Sequence, residues 1–62
     1  MAAAAQTFQQ QWHPGRRVQE AAAPHRRGTI RAVQGTGANA RVTVGLDGRP
    51  PQTFRPAQLT LL

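Results

Sequence analysis

The chain has 62 residues, which is enough for one small domain and too few for two. It contains no cysteine, which excludes a disulfide framework and a thiolate-ligated zinc site as sources of stability. Eight arginines, no lysine and only two acidic residues give a net charge of +6, so we expect an anionic partner, either nucleic acid or an acidic protein surface.

Neither a secretory leader nor a membrane span is predicted. Residues 1–5 lack a basic flank and are followed by the polar Gln6 and Thr7. No run reaches the ~18 apolar residues that a membrane helix needs. We therefore expect a cytoplasmic protein, or one held within a nucleoprotein particle, that makes no membrane contact.

Residues 1–13 are predicted to form a tail outside a domain that spans residues 14–62. Alanine and glutamine favour a short helix over residues 2–11, but fewer than ~12 residues make an isolated helix marginal, so we expect order only on contact. Phe8 and Trp12 lie four residues apart and would share one helix face. This pair is a candidate for docking to a partner, while Trp12 has the alternative of packing against the domain.

Beyond the tail, short β-like runs divided by turn residues predict five strands. They cover residues 16–20, 27–34, 41–47, 52–55 and 59–61. We expect a mobile hairpin loop over residues 35–39, a turn at Asp47-Gly48, and a single helical turn over residues 56–58 before the last strand.

Alternation of apolar and polar residues assigns a face to each strand. In the second strand it places Ile30, Ala32 and Gln34 on the core side, with Thr29, Arg31 and Val33 on the other side. The predicted core consists of Val18, Ile30, Val42, Val44, Leu46, Phe54, Leu59 and Leu61. At roughly 1.5–3 kcal/mol each, these side chains offer only about 12–24 kcal/mol before chain entropy is subtracted. Homo-oligomerisation or docking would add to this stability.

A glycine precedes the first predicted strand at Gly15, a second glycine opens the second strand at Gly28, and Phe54-Arg55-Pro56-Ala57-Gln58-Leu59 leads into the last strand. With Val42-Thr43-Val44 between them, these segments resemble the SH3-like barrels of the KOW and Tudor-like type. The resemblance covers about residues 13–62. It implies an all-β, five-stranded SH3-like barrel with a short helical turn before the last strand and an N-terminal tail.

A narrower resemblance is carried by Gly15, Gly28, Ala57 and Leu59 together with the segment Gln52-Thr53-Phe54. This pattern is similar to that of the plasmid-borne type II dihydrofolate reductases. That family forms tetramers around one pore, and the resemblance would place its cofactor- and folate-binding segment on Gln52, Thr53 and Phe54, with NADPH as cofactor. The sequence departs from the family at three points. Glu20 stands near the family's pore lysine, Arg26 stands near its interface tryptophan, and Phe54 lacks the tyrosine hydroxyl.

The chain offers few groups for catalysis or metal binding. One Asp, one Glu, two His, no Cys and no Ser leave little from which to build an acid–base pair or a nucleophile. His13 and His25 have no carboxylate or thiol at ligand spacing. We therefore predict no catalytic residues, no metal site and, outside the reductase resemblance, no cofactor.

The arginines are the candidate site. Four of them lie where the first two strands begin and are predicted to face one rim, namely Arg16, Arg17, Arg26 and Arg27. Two more lie on outward faces of neighbouring strands, namely Arg31 and Arg41. Guanidinium groups bind phosphate bidentately, so this strip predicts contact with a nucleic-acid backbone. Few aromatic residues accompany it, which disfavours base stacking.

The leading hypothesis is a small basic binding module, an accessory subunit of a phage-type, ribonucleoprotein or other large assembly. The alternative interpretation of the arginine strip is a solvated face with scattered charge. A further alternative is a self-assembling or structural protein-interaction module that uses a strand edge or the Phe8 and Trp12 pair. The reductase-like enzyme is the remaining alternative.

Overall fold

The computed structural model describes residues 8–62, and within them the fold is mostly β. A five-stranded antiparallel sheet is accompanied by one short helix at residues 8–11 and by two 3-10 turns. The strands are β1 (Arg17–Glu20), β2 (Arg27–Gln34), β3 (Arg41–Leu46), β4 (Gln52–Phe54) and β5 (Leu59–Leu61), and the 3-10 turns are Gly37–Asn39 and Pro56–Gln58. The strand order in the sheet is β4-β3-β2-β1-β5.

The predicted elements of the domain are confirmed with small shifts of their ends. β2, β5 and the helical turn before β5 have the predicted bounds. β3 ends one residue early because the chain turns at Asp47-Gly48, where the Arg49 amide donates to the Leu46 carbonyl at 3.2 Å. β4 ends before Arg55, whose amide donates to Gln58 Oε1 and caps the turn Pro56–Gln58.

The tail prediction is tested only over its second half. A helix was expected over residues 2–11; residues 8–11 are helical, and residues 1–7 lie outside the described part of the chain. The loop over residues 35–39 contains the 3-10 turn Gly37–Asn39, with positive φ at Gly35 and Gly37. No helix among residues 8–62 has the length and apolar character required to cross a membrane.

A β-bulge overturns the predicted faces in the second half of β2. Ile30 pairs with Val44, but the next pair is Ala32 with Thr43, so Arg31 is an extra residue on β2. Beyond the bulge Val33 lies opposite the fully buried Val42 and packs against the core, while Ala32 is exposed. The expectation that Ala32 and Gln34 face the core and Val33 faces away is therefore wrong.

The core prediction is largely confirmed. Six of the eight predicted side chains are buried, namely Val18, Ile30, Val42, Val44, Leu46 and Leu59. Phe54 of β4 and Leu61 of β5 are only partly buried and pack against this cluster. Ala40 is also fully buried.

Hydrogen bonds beyond the ladder tie the end of the chain to the start of β1. The Leu62 amide donates to the Arg17 carbonyl at 3.0 Å. In return, Arg16 Nε donates to the Leu62 carbonyl, also at 3.0 Å. These contacts hold β5 against β1 although the two strands are far apart in sequence.

Candidate nucleic-acid interface

The two acidic side chains each pair with one arginine, and this leaves the other arginines uncompensated. Arg17 Nη2 lies 2.9 Å from Asp47 Oδ2, and Arg26 Nη1 lies 3.8 Å from Glu20 Oε2. The arginines without an acidic partner among residues 8–62 are Arg16, Arg27, Arg31, Arg41, Arg49 and Arg55. These six account for the net charge of +6.

The Arg17–Asp47 pair is bidentate and spans β2. Arg17 Nη1 also donates to Thr29 Oγ1 at 3.0 Å and to Asp47 Oδ1 at 3.3 Å. Hydrogen bonding from Arg17 holds the pKa of the Asp47 carboxyl below its ordinary value, and the same bond raises the pKa of Arg17. Both groups are therefore charged at neutral pH, and Asp47 is already occupied by an internal partner.

Strand pairing divides the four arginines that were expected on one rim. β1 and β2 are antiparallel, with Arg17 opposite Thr29 and Gln19 opposite Arg27. Arg17 and Arg27 are therefore diagonal neighbours on the face of the sheet turned away from the core. Arg16 and Arg26 lie at opposite ends of the β1–β2 pair, since Arg16 bonds Ile30 while Arg26 bonds Glu20. The expectation of a single rim holding all four is wrong.

Arg31 lies across the outward face of β3. A Cβ atom built on Gly45 would come within 2.5 Å of Arg31 Nε, so the arginine side chain occupies the space that a larger residue 45 would fill. Arg41 lies on the same face of β3, since Arg41, Thr43 and Gly45 alternate with the buried Val42 and Val44. Arg31 and Arg41 therefore share one face of the sheet, although Arg31 lies over Gly45, four residues along β3 from Arg41.

A groove of about 420 Å³ extends this face toward β4 and the turn Pro56–Gln58. Arg41 and Arg55 line it together with Thr43 and Thr53. Arg55 is held there because its Nη1 donates to Asn39 Oδ1 at 3.3 Å and its amide donates to Gln58 Oε1 at 2.9 Å. The groove therefore presents two guanidinium groups beside two hydroxyl groups.

We call this surface the outer arginine face; its members are Arg17, Arg27, Arg31, Arg41 and Arg55. Arg55 was not among the site residues predicted from the sequence, although it follows the inward-facing Phe54 and strand alternation would have placed it outward. Arg49, also missed, follows the Asp47-Gly48 turn, and its position depends on how that turn folds back.

The remaining candidates take other positions. Phe8 and Trp12 stack on each other with ring centroids 5.8 Å apart, and Trp12 also packs against the core. In β4, Thr53 and Phe54 both line the groove, while Gln52 and Phe54 pair with the buried Val44 and Val42 of β3. Gln52 is not among the residues that line the groove, so the three residues of the reductase-like segment do not all line one site.

Among residues 8–62, no three His, Cys, Asp or Glu side chains lie close enough together to form a candidate metal site. Comparison with known protein families, curated proteins and solved structures found no match to this chain.

Proposed function

We propose that this chain is a small basic module of the SH3-like barrel type that binds the phosphate backbone of nucleic acid as an accessory subunit of a larger assembly. The observation that carries the proposal is the outer arginine face. Its one nearby carboxylate, Asp47, is already bonded to Arg17. Four of its arginines, Arg27, Arg31, Arg41 and Arg55, have no acidic partner among the described residues.

Guanidinium and hydroxyl groups are the side chains that contact phosphate oxygens most often, and such contacts are independent of base sequence. Thr43 and Thr53 pair with each other across β3 and β4, line the same groove as Arg41 and Arg55, and supply hydroxyl donors. Phe8 stacks on Trp12, and Trp12 packs against the core; Phe54, which lines the groove, also packs against the core. We therefore infer backbone contact without base stacking.

The proposed fold type is supported by the strand order β4-β3-β2-β1-β5 and by the 3-10 turn Pro56–Gln58, which carries the chain from one sheet edge to the other. Gly28 supports it as well. A Cβ atom there would lie 2.6 Å from the Gly45 carbonyl oxygen, so the glycine allows β2 and β3 to approach closely.

The test is the salt dependence of binding to a short duplex that carries 5′-hydroxyl ends. If each of the four unpaired arginines neutralises one phosphate, log K falls with log salt at a slope of about −3.6, which is four times 0.9. Arg41→Gln should weaken binding several-fold and reduce the slope by roughly one. A slope near zero contradicts the proposal.

Arg49→Gln is the matched control, because it removes the same charge from outside the outer arginine face and Arg49 makes no ion pair among residues 8–62. An equal loss of affinity in both variants would show that net charge, and not this face, governs binding. Light scattering with and without the duplex provides a second check. A stable oligomer that does not bind the duplex would favour the self-assembling alternative.

A further inference from the structure

A second basic site lies at the end of the sheet where β2 begins and β3 ends. A hollow of about 270 Å³ is lined there by His25, Arg26, Arg27 and Arg49, with Leu46 and Asp47 beside them. We call it the end hollow. It includes Arg49, which belongs to no part of the outer arginine face.

The backbone of each arginine in the end hollow is held by hydrogen bonds. The Arg26 amide donates to the Ala23 carbonyl at 2.8 Å, and its carbonyl accepts from the Glu20 amide at 3.0 Å. The Arg27 carbonyl accepts from the Asp47 amide at 3.0 Å, and the Arg49 amide donates to the Leu46 carbonyl at 3.2 Å. The backbone that carries these arginines is therefore ordered before any ligand arrives, which lowers the entropy cost of binding.

The charges in the end hollow are not balanced from within. Asp47 gives both carboxylate oxygens to Arg17, and Glu20 reaches Arg26 only at 3.8 Å. Arg27 and Arg49 have no acidic group within 4.0 Å among residues 8–62. Like charges held in one concave site repel each other, and an anion placed among them relieves that repulsion.

We propose that the end hollow binds a phosphate dianion, either the terminal monoester of a polynucleotide or free phosphate. Three arginines line one concavity, Arg27 at the start of β2 and Arg26 and Arg49 in the adjoining loops, and a monoester presents three strong acceptor oxygens. A phosphodiester inside a continuous strand presents fewer free oxygens and fits the open outer face better. The end hollow thus recognises the end of a strand, whereas the outer arginine face holds its length.

The test compares duplexes that differ only in having 5′-phosphate or 5′-hydroxyl ends. We expect the wild-type chain to prefer the phosphorylated duplex by roughly tenfold, the value of one charge-assisted hydrogen-bonded contact. Arg49→Gln should abolish this preference while leaving affinity for the 5′-hydroxyl duplex nearly unchanged. Arg55→Gln, with the same change in charge, should weaken both duplexes and keep the preference.

A titration with inorganic phosphate, followed by amide NMR shifts, separates the two sources of the ligand. Shifts centred on residues 25–27 and 47–49 without any duplex preference assign the hollow to free phosphate. The same shifts in a chain that binds no duplex support the hollow and refute the proposed nucleic-acid function. Equal affinity for the two duplexes together with no phosphate-induced shifts overturns this inference and leaves the outer arginine face untouched.

Asp47→Asn gives a gain of binding that partial unfolding cannot imitate. The substitution removes the one carboxylate beside Arg27 and Arg49, so affinity for phosphate should rise several-fold. Unchanged or weaker phosphate binding in this folded variant counts against the end hollow as an anion site.

Discussion

Replacing Gly28 by alanine is expected to destabilise the sheet because residue 28 has no room for a Cβ atom. That atom would lie 2.6 Å from the Gly45 carbonyl oxygen, 2.8 Å from Val44 Cγ1 and 3.0 Å from Leu46 Cα. Two of these three atoms belong to the β3 backbone, which cannot rotate away. Restoring a 3.4 Å contact to the carbonyl oxygen requires the strands to separate by about 0.8 Å, the difference between 3.4 and 2.6 Å.

Overpacking of this kind costs about 1–3 kcal/mol. A chain of 62 residues has a total unfolding free energy of about 3–9 kcal/mol, at 0.05–0.15 kcal/mol per residue. Each kcal/mol corresponds to about 4–8 °C in Tm for a domain of this size. Gly28→Ala should therefore lower Tm by about 4–24 °C, measured by circular dichroism during thermal unfolding.

Gly45→Ala is the matched control, since its Cβ would meet only the side chain of Arg31, at 2.5 Å from Nε and 3.3 Å from Cδ and Cζ. A flexible arginine can move aside, and neither glycine has a positive φ, so Tm should stay the same or rise slightly. Displacing Arg31 should still weaken duplex binding although the net charge is unchanged. A Gly28→Ala Tm within 2 °C of wild type, or an equal loss in Gly45→Ala, would refute the reasoning.

Three further predictions test the ion pair, the tail and the bulge. Arg17→Gln should raise the pKa of Asp47 toward its ordinary value, measured by NMR titration. The ion pair stabilises the fold above the unfolded-state pKa of Asp47, and this stabilisation disappears as pH falls through the lower folded-state pKa. The unfolding free energies of wild type and variant should therefore converge in strong acid. Trp12→Ala should lower the unfolding free energy by about 1–3 kcal/mol in urea, whereas an unchanged midpoint would contradict packing against the core. Val33→Asp should destabilise the fold by about 2 kcal/mol and Ala32→Asp by less than about 0.5 kcal/mol, and the reverse order would refute the bulge.

Local patterns were sufficient for most of the fold. Val42, Val44 and Leu46 alternate with polar or small residues, and period-two alternation is the signal of a half-buried strand. Turn residues such as Gly35 and Gly48 mark the connections, and both adopt positive φ. Each of these signals lies within a few residues of the element it predicts.

The bulge at Arg31 carries no comparable local signal. Its effect is to reverse the faces of Ala32 and Val33, and it exists because β3 pairs with β2 in a shifted register beyond Ile30. Register is a relation between two strands, so the alternation within β2 alone predicts the wrong side. The same limit explains why the prediction of one rim with four arginines was wrong, because antiparallel pairing separates these arginines.

By itself the sequence determined the charge excess, the five strands, most of the core and the outward position of Arg31 and Arg41, because each depends on composition or on neighbours along the chain. Only the tertiary structure decided which arginines are already occupied and which are not. Arg17 and Asp47 are 30 residues apart, and Arg55 and Asn39 are 16 apart. Pairing over such separations is set by how the strands are arranged in space, and that arrangement, more than the number of arginines, sets the positions of the outer arginine face and the end hollow.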